Sequence, residues 1–434
     1  MTPQSSFMVL APVADDREGD LRSLLASMNL RPGVVDPENA LVPFGRFERL
    51  HFARFLVLEA PTAGDIAVYG IPHSTWPSSL VFLGDCDGPA DTFLADLVRR
   101  AGPGLCQIFA LCRDFSANSD LLEWMNQREQ PSAANYVNWI GRTVLQIREE
   151  QALRAALIDH LQSDGGDPPG QDGPVTLHDR LVDFVNRERA AGRLTLTPPA
   201  PASFDWRLRN ALHMVGVPLA LLVMAPFLIL ASPLLIYLLR TREKSDPEIT
   251  PHPGHDHVRR TAAIEDHDFT NQFSAFGDLK PGRFRRWTTI FLLWLLNYSA
   301  RHIYNRGHLT RVQTIHFARW VFVDDRKRLL FASNYDGSLE SYMDDFINKV
   351  AWGINLVFGN GVGFPRVDWL LIGGARREQK YKRFLRRHQQ PTDVWYKAYP
   401  GLTVVDLERN TRIREGIERQ SMTDREAREW MSLL

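Results

Sequence analysis

The chain has 434 residues, 44% of them hydrophobic and 24% charged, with 51 basic and 51 acidic side chains. That length supports two or three domains with cores of their own, and the balanced charge leaves no basic excess to recruit nucleic acid, which is not expected as a partner. Three cysteines, Cys86, Cys106 and Cys112, lack CxxC spacing and argue against a disulfide framework or a thiolate metal site.

From the start of the chain, Phe7–Val13 reads as a strand and Asp20–Met28 as a helix. No basic region leads into an apolar run there, so the N-terminus does not read as a secretory signal, and the chain is expected in the cytoplasm or on a membrane facing it. Ala53–Leu58 and Ser79–Leu83 are rich in β-branched and aromatic residues and read as strands, ended by Asp87-Gly88. Phe93, Leu94 and Leu97 then fall at helical spacing within Pro89–Arg100.

Much of this order recurs later. Leu50-His51-Phe52-Ala53-Arg54-Phe55 matches Ile315-His316-Phe317-Ala318-Arg319-Trp320, and Leu80-Val81-Phe82 with Asp87-Gly88 matches Leu329-Leu330-Phe331 with Asp336-Gly337. A third block, from Gln130-Pro131 through Tyr136 and Gly141-Arg142-Thr143-Val144, matches Gln390-Pro391 through Tyr396 and Gly401-Leu402-Thr403-Val404. Three matches in one order mark an internal duplication. In the second copy, Ala318–Val323 and Leu329–Ala332 form a hairpin around the polar turn Asp324–Arg328, and Ser338–Val350 forms the following helix. The β-α-β-β-α order of the first copy is that of a ferredoxin-like sandwich. The second copy shows no clear opening strand and helix.

Between the copies, Ala211 to Leu239 carries no acidic, Lys or Arg residue, which exceeds the roughly 20 residues a spanning helix needs. Pro218, Pro226 and Pro233 interrupt it, and cationic residues flank both ends. The expectation is a kinked hairpin or re-entrant dip, monotopic on the cytoplasmic face, which leaves both copies on one side. Residues 287–298, with Trp287, Trp294 and Tyr298, read as interfacial. The expected domains are residues 1–165, the first ferredoxin-like repeat; 166–203, a linker; 204–300, the membrane-associated segment; and 301–434, the second repeat with a C-terminal helix.

A regular hairpin register places His316 opposite Asp336, and His51 and Asp87 hold the matching positions. A carboxylate beside an imidazole fixes its tautomer and raises its basicity, which suits a general acid or base or a metal ligand. His316, Asp336, His51 and Asp87 are thus candidate catalytic residues, unless the duplicated pairs only pin the structure. Arg319 joins these candidates; with Arg54 it lies three positions along from a histidine, within reach of helix carboxylates such as Asp345 and Asp96. His252, His255 and His257 form a candidate metal-binding cluster, with a solvated histidine-rich loop as the plainer reading. The basic run Arg376 to Arg387 could lie on anionic lipid.

Gly84-Asp85-Cys86-Asp87-Gly88 resembles the Gly-x-x-Asp-Gly motif of the dye-decolorizing peroxidases, whose duplicated ferredoxin-like units pack as a pseudo-dimeric α/β barrel. Ser333-Asn334-Tyr335-Asp336-Gly337 departs from it at the first position, and no residue matches the family's proximal histidine or distal arginine. The resemblance implies an α+β fold with two ferredoxin-like repeats in such a barrel and a membrane-associated helical insertion between them. It also implies a haem held near His316 and Asp87. The expected function is a membrane-attached, peroxidase-like oxidoreductase acting on a lipophilic small molecule. The alternative is a non-catalytic lipid- or hydrophobe-binding membrane protein, with membrane lipid a partner in either case.

Overall fold

The computed structural model describes residues 2–72, 75–163 and 173–434. In chain order the first half gives β1 (Gln4–Pro12), α1 (Glu18–Ala26), the short strands β2 (Asn29–Arg31) and β3 (Val34–Val35), β4 (Leu50–Leu58), β5 (Ser79–Asp87), α2 (Ala90–Phe109), α3 (Leu121–Gln127), β6 (Ser132–Val137), α4 (Val144–Ser163) and α5 (Pro174–Ala190). After the long α6 (Phe204–Ser245) come α7 (His255–Ala262), β7 (Thr270–Asp278), α8 (Arg283–His302), β8 (Ile315–Val323), β9 (Arg328–Asp336), α9 (Leu339–Lys349) and α10 (Ala351–Phe358). The last elements are β10 (Val367–Asp368), β11 (Ile372–Gly373), α11 (Glu378–His388), β12 (Val394–Lys397), α12 (Val404–Ile417) and α13 (Asp424–Met431).

The fold is mixed α+β, built on two antiparallel four-stranded sheets ordered β1-β5-β4-β12 and β6-β8-β9-β7. Each sheet takes three strands from one half and its edge strand from the other, since β12 pairs with β4 and β6 pairs with β8. The second half does have an opening pair: β7 lies against β9 as β1 lies against β5, and α8 follows as α1 follows β1. The second half's own strands therefore begin at Thr270, inside the stretch expected to belong to the membrane segment. Residues 287–298 lie in α8, which packs on β6 and α6 and leaves Trp287 exposed.

β4, β5 and β9 are buried along their whole length, which explains their lack of polar alternation: both faces are covered. On one face Phe55, Val57 and Phe82 meet Leu21 and Leu25 of α1 and Phe93 and Leu97 of α2. On the other, Leu56, Leu58, Val81 and Leu83 meet Val321, Val323, Leu330 and Ala332, so the two sheets stack directly. Part of the expected linker, residues 166–172, lies outside the described residues. The remainder includes α5, whose Leu181 and Val185 pack with Leu153, Leu157, Ile413 and Trp430 of α4, α12 and α13.

The apolar segment lies within one unbroken helix of 42 residues, Phe204–Ser245, without the reversal a hairpin needs. Its prolines orphan the carbonyls four residues earlier, and two of these find hydroxyl donors. Tyr298 Oη donates to the Met214 carbonyl at 3.1 Å, and Ser232 Oγ donates to the Ile229 carbonyl at 2.7 Å. The helix is nonetheless bowed. Asn210 bonds Arg301 near one end of α8, and Asp246 bonds Arg285 near the other. Those α8 residues lie ~24 Å apart, and outstretched side chains add ~24 Å more, whereas a straight helix from Asn210 to Asp246 spans ~54 Å. Both ends of α6 thus dock on one side, and its apolar middle, including Leu222, Val223, Phe227, Ile229 and Leu230, arches outward fully exposed.

Candidate functional site

The hairpin register runs one residue away from the expected one. Val323 pairs with Arg328 and Phe317 with Asn334, and the register then shifts between Ile315 and Phe317, leaving His316 in a bulge. The bulge turns the imidazole toward the strand end, where Nε2 meets Asp336 Oδ1 at 2.7 Å. The first half repeats the device: the register shifts between Leu50 and Phe52, and His51 Nε2 meets Asp87 Oδ1 at 2.9 Å. All four side chains are buried.

Each carboxylate also accepts a backbone N–H at a helix start. Asp87 Oδ2 takes Val144 N of α4 at 2.9 Å, and Asp336 Oδ2 takes Val404 N of α12 at 2.7 Å. Asp336 accepts the Thr270 hydroxyl as well, at 3.0 Å. The pairs therefore join hairpin, bulge and helix N-terminus, where a negative charge is stabilised by the exposed N–H groups. Gly88 and Gly337, at φ of 79° and 87°, supply the left-handed turn after each aspartate.

Both histidines reach one small cavity of about 20 Å³, lined also by Gln4, Asn138, Trp139, Arg142, Phe317 and Tyr399. Here the halves differ. Tyr399 Oη lies 3.1 Å from His51 Nδ1, while the matching position in the first half is Trp139, whose ring carries the Arg142 guanidinium at 4.0 Å. Leu402 is the counterpart of Arg142.

Arg319 joins neither pair and reaches no helix carboxylate. From the second sheet it crosses to the first, donating to Phe7 O at 2.7 Å, to Gly84 O at 2.9 Å and to Asp85 Oδ1. Arg54 crosses the other way, to Phe273 O at 3.0 Å, Ser274 Oγ at 2.9 Å, Ser333 O at 2.9 Å and Asn334 Oδ1. Asp96 and Asp345 are occupied instead by Arg99 and Lys349. Burial, and then the neighbouring Arg319 charge, pull Arg54 down to about 9 against the opposing effect of Asp85.

With this network in the middle, apolar side chains at one end and the histidines at the other, the space between the sheets is filled. A haem macrocycle does not fit: the histidine cavity has room for about one water, and both His51 nitrogens are already engaged. Asp87 of the Gly-x-x-Asp-Gly motif is held by His51 and α4. No known protein family, curated protein or solved structure matches the chain.

The histidines between α6 and β7 do not converge. His252 and His255 are exposed, His257 Nε2 bonds the Arg386 carbonyl at 2.7 Å, and no group of three potential ligands forms among the described residues. The basic run covers the turn before α11 and α11 itself, whose Tyr381, Phe384 and Leu385 are buried. Much of its charge is matched within the chain, by Glu248, Asp344, Glu265 and Asp65, leaving little for a lipid surface.

A roomier site lies elsewhere. The β2–β3 turn, the segment after α7 and β12 enclose a cleft of about 560 Å³, lined by Leu30, Val34, Val35, Ile264, Trp395 and Tyr396 among others. An adjoining pocket of about 410 Å³ shares Arg31, Gly33 and Ile264 with it and adds Arg22, Arg260 and Asp393. Arg22 is held by Glu18, Glu59 and Asp393, and Lys397 at the apolar end by Asp268. Sequence reading missed this cleft because its walls come from three distant segments, none carrying a motif.

Proposed function

We propose that the protein is a membrane-attached, non-catalytic binder of an anionic amphiphile. The carrying observation is the cleft: its volume is that of a small-molecule site, its main chamber is mostly apolar, and arginines gather at the adjoining end. An apolar chain in the first chamber and an anionic head toward Arg31 suit that division, with Arg260 nearby at 3.8 Å from Glu59. Ile264 and Arg260 follow α6 within twenty residues, so the cleft opens on the chain segment leaving the membrane helix.

The arched α6 supplies the attachment. Its exposed apolar side chains would each cost about 1.5–3 kcal/mol in water, which favours placing them in lipid. A helix docked at both ends on one side suits a monotopic dip rather than a crossing. The two halves fit a duplicated ferredoxin-like unit whose fourth strands are exchanged, with the His/Asp pairs as structural pins.

The test uses the detergent-purified full chain. A fluorescent fatty-acid analogue should bind saturably, and Ile264→Trp, which fills the shared wall, should weaken binding at least tenfold without moving the unfolding midpoint. Equal binding by Ile264→Trp would refute the cleft. A Soret band that disappears in His316→Ala would overturn the non-catalytic reading in favour of a haem peroxidase.

A further inference from the structure

We infer that the cavity between the two His/Asp pairs binds one compact monovalent anion, of halide size, against the Arg142 guanidinium. This rests on observations independent of the cleft. Arg142 is 3% exposed, and its Nε, Nη1 and Nη2 are all buried without a hydrogen-bond partner. Arg54, Arg285 and Arg319, also buried, each have acceptors.

A dry guanidinium without an acceptor is unfavourable, and a cation–π contact with Trp139 replaces only part of its lost hydration. Glu150 acts on Arg142 only at a distance, because its carboxylate is taken by Gln146 and Thr411. Burial pulls Arg142 down to about 10, so it stays charged at neutral pH. The fold does not demand this charge: the other half keeps the flanking glycine, threonine and valine and places Leu402 at the matching position. A cation retained in one half only, beside a cavity, calls for an anion.

The cavity sets the size. About 20 Å³ admits a water or a halide but not sulfate or phosphate. Asn138 Oδ1, on another residue lining the cavity, also lacks a partner, and as an acceptor it would repel an anion placed against it. The ion is therefore placed on the Arg142 side, with His51 and Tyr399 as neighbours. A single water bridging Arg142 and Asn138 is the rival occupant, and it would show no anion dependence.

The test is chloride-35 NMR line broadening and thermal unfolding of the detergent-solubilised full chain, with chloride replacing gluconate at fixed ionic strength. Excess broadening and a saturable rise in unfolding temperature are expected; bromide should displace the broadening and reproduce the rise, and sulfate should do neither. Arg142→Leu, which copies the other half, should abolish both, and Arg142→Lys should raise half-saturation at least tenfold. Absence of both effects in the unaltered protein, or effects unchanged in Arg142→Lys, would overturn the inference whether or not Arg142→Leu folds. Failure here leaves amphiphile binding in the cleft untouched, since that assay reads a different site.

Discussion

Asp85→Asn should be among the most destabilising single changes in the protein. Asp85 is the carboxylate bonded to Arg319 at the centre of the inter-sheet layer, where Arg54 lies close enough for the two cations to repel. Asparagine keeps the shape and removes the charge, leaving two guanidiniums among neutral acceptors. Removing one partner of a buried pair costs about 3–5 kcal/mol, against well under 1 kcal/mol for an exposed pair such as Asp96 with Arg99. Denaturant unfolding of the full chain in detergent, followed by tryptophan fluorescence, would measure Asp85→Asn beside Asp96→Asn. Adding Arg319→Met to Asp85→Asn should recover part of the loss, because it removes one of the two cations that Asp85→Asn leaves uncompensated. If Asp85→Asn proves as mild as Asp96→Asn, or the double variant is worse by the sum of its parts, the inter-sheet charge argument fails.

Burial pulls His388 down to about 4, so it is neutral in the folded protein while an unfolded histidine titrates near 6.5. Stability should therefore be intact above about pH 7 and fall by about 3 kcal/mol in all as pH drops from 6.5 through 4, a slope that His388→Gln should flatten; an unchanged slope would remove His388 as its source. Tyr298→Phe strands the Met214 carbonyl beside Pro218 and should cost about 1 kcal/mol, with faster amide exchange confined to the first half of α6. Thr423 forms a capping box with Glu426 at the start of α13, and Thr423→Ala should cost about 1 kcal/mol, read as faster exchange in α13 with α12 unaffected.

The duplication, the hairpins and the His/Asp contacts were legible because each leaves local strings: His51 and His316 in matching frames, Asp-Gly at two strand ends. The bulges were not, since a one-residue register shift leaves no mark in composition, and pairing by constant sum assumed a regular ladder. β7 escaped notice for a clearer reason. Gln272 and Ser274 face the other sheet, where apolar residues are normally expected, and they do so to receive the Arg54 guanidinium. A strand whose inward face solvates a charge loses the alternation by which strands are recognised. Arg319 was tied to a helix because strand parity reveals a face but not what lies across it. Arg142 passed as one letter of a repeat, although its mismatch with Leu402 was the visible sign that the halves had diverged there.

The traded edge strands carry a cost in time. β4 leaves the ribosome long before its neighbour β12, with Leu58 and Val394 separated by 394 − 58 = 336 residues. At about 5–20 residues per second, the nascent first sheet waits about 20–70 s with an unpaired apolar edge while α6 emerges. Open edges of that kind recruit other strands, so newly made copies are exposed to mispairing with one another during this interval. Delivery of α6 to lipid in the same interval would hold the unfinished sheet at a surface until its last strand arrives.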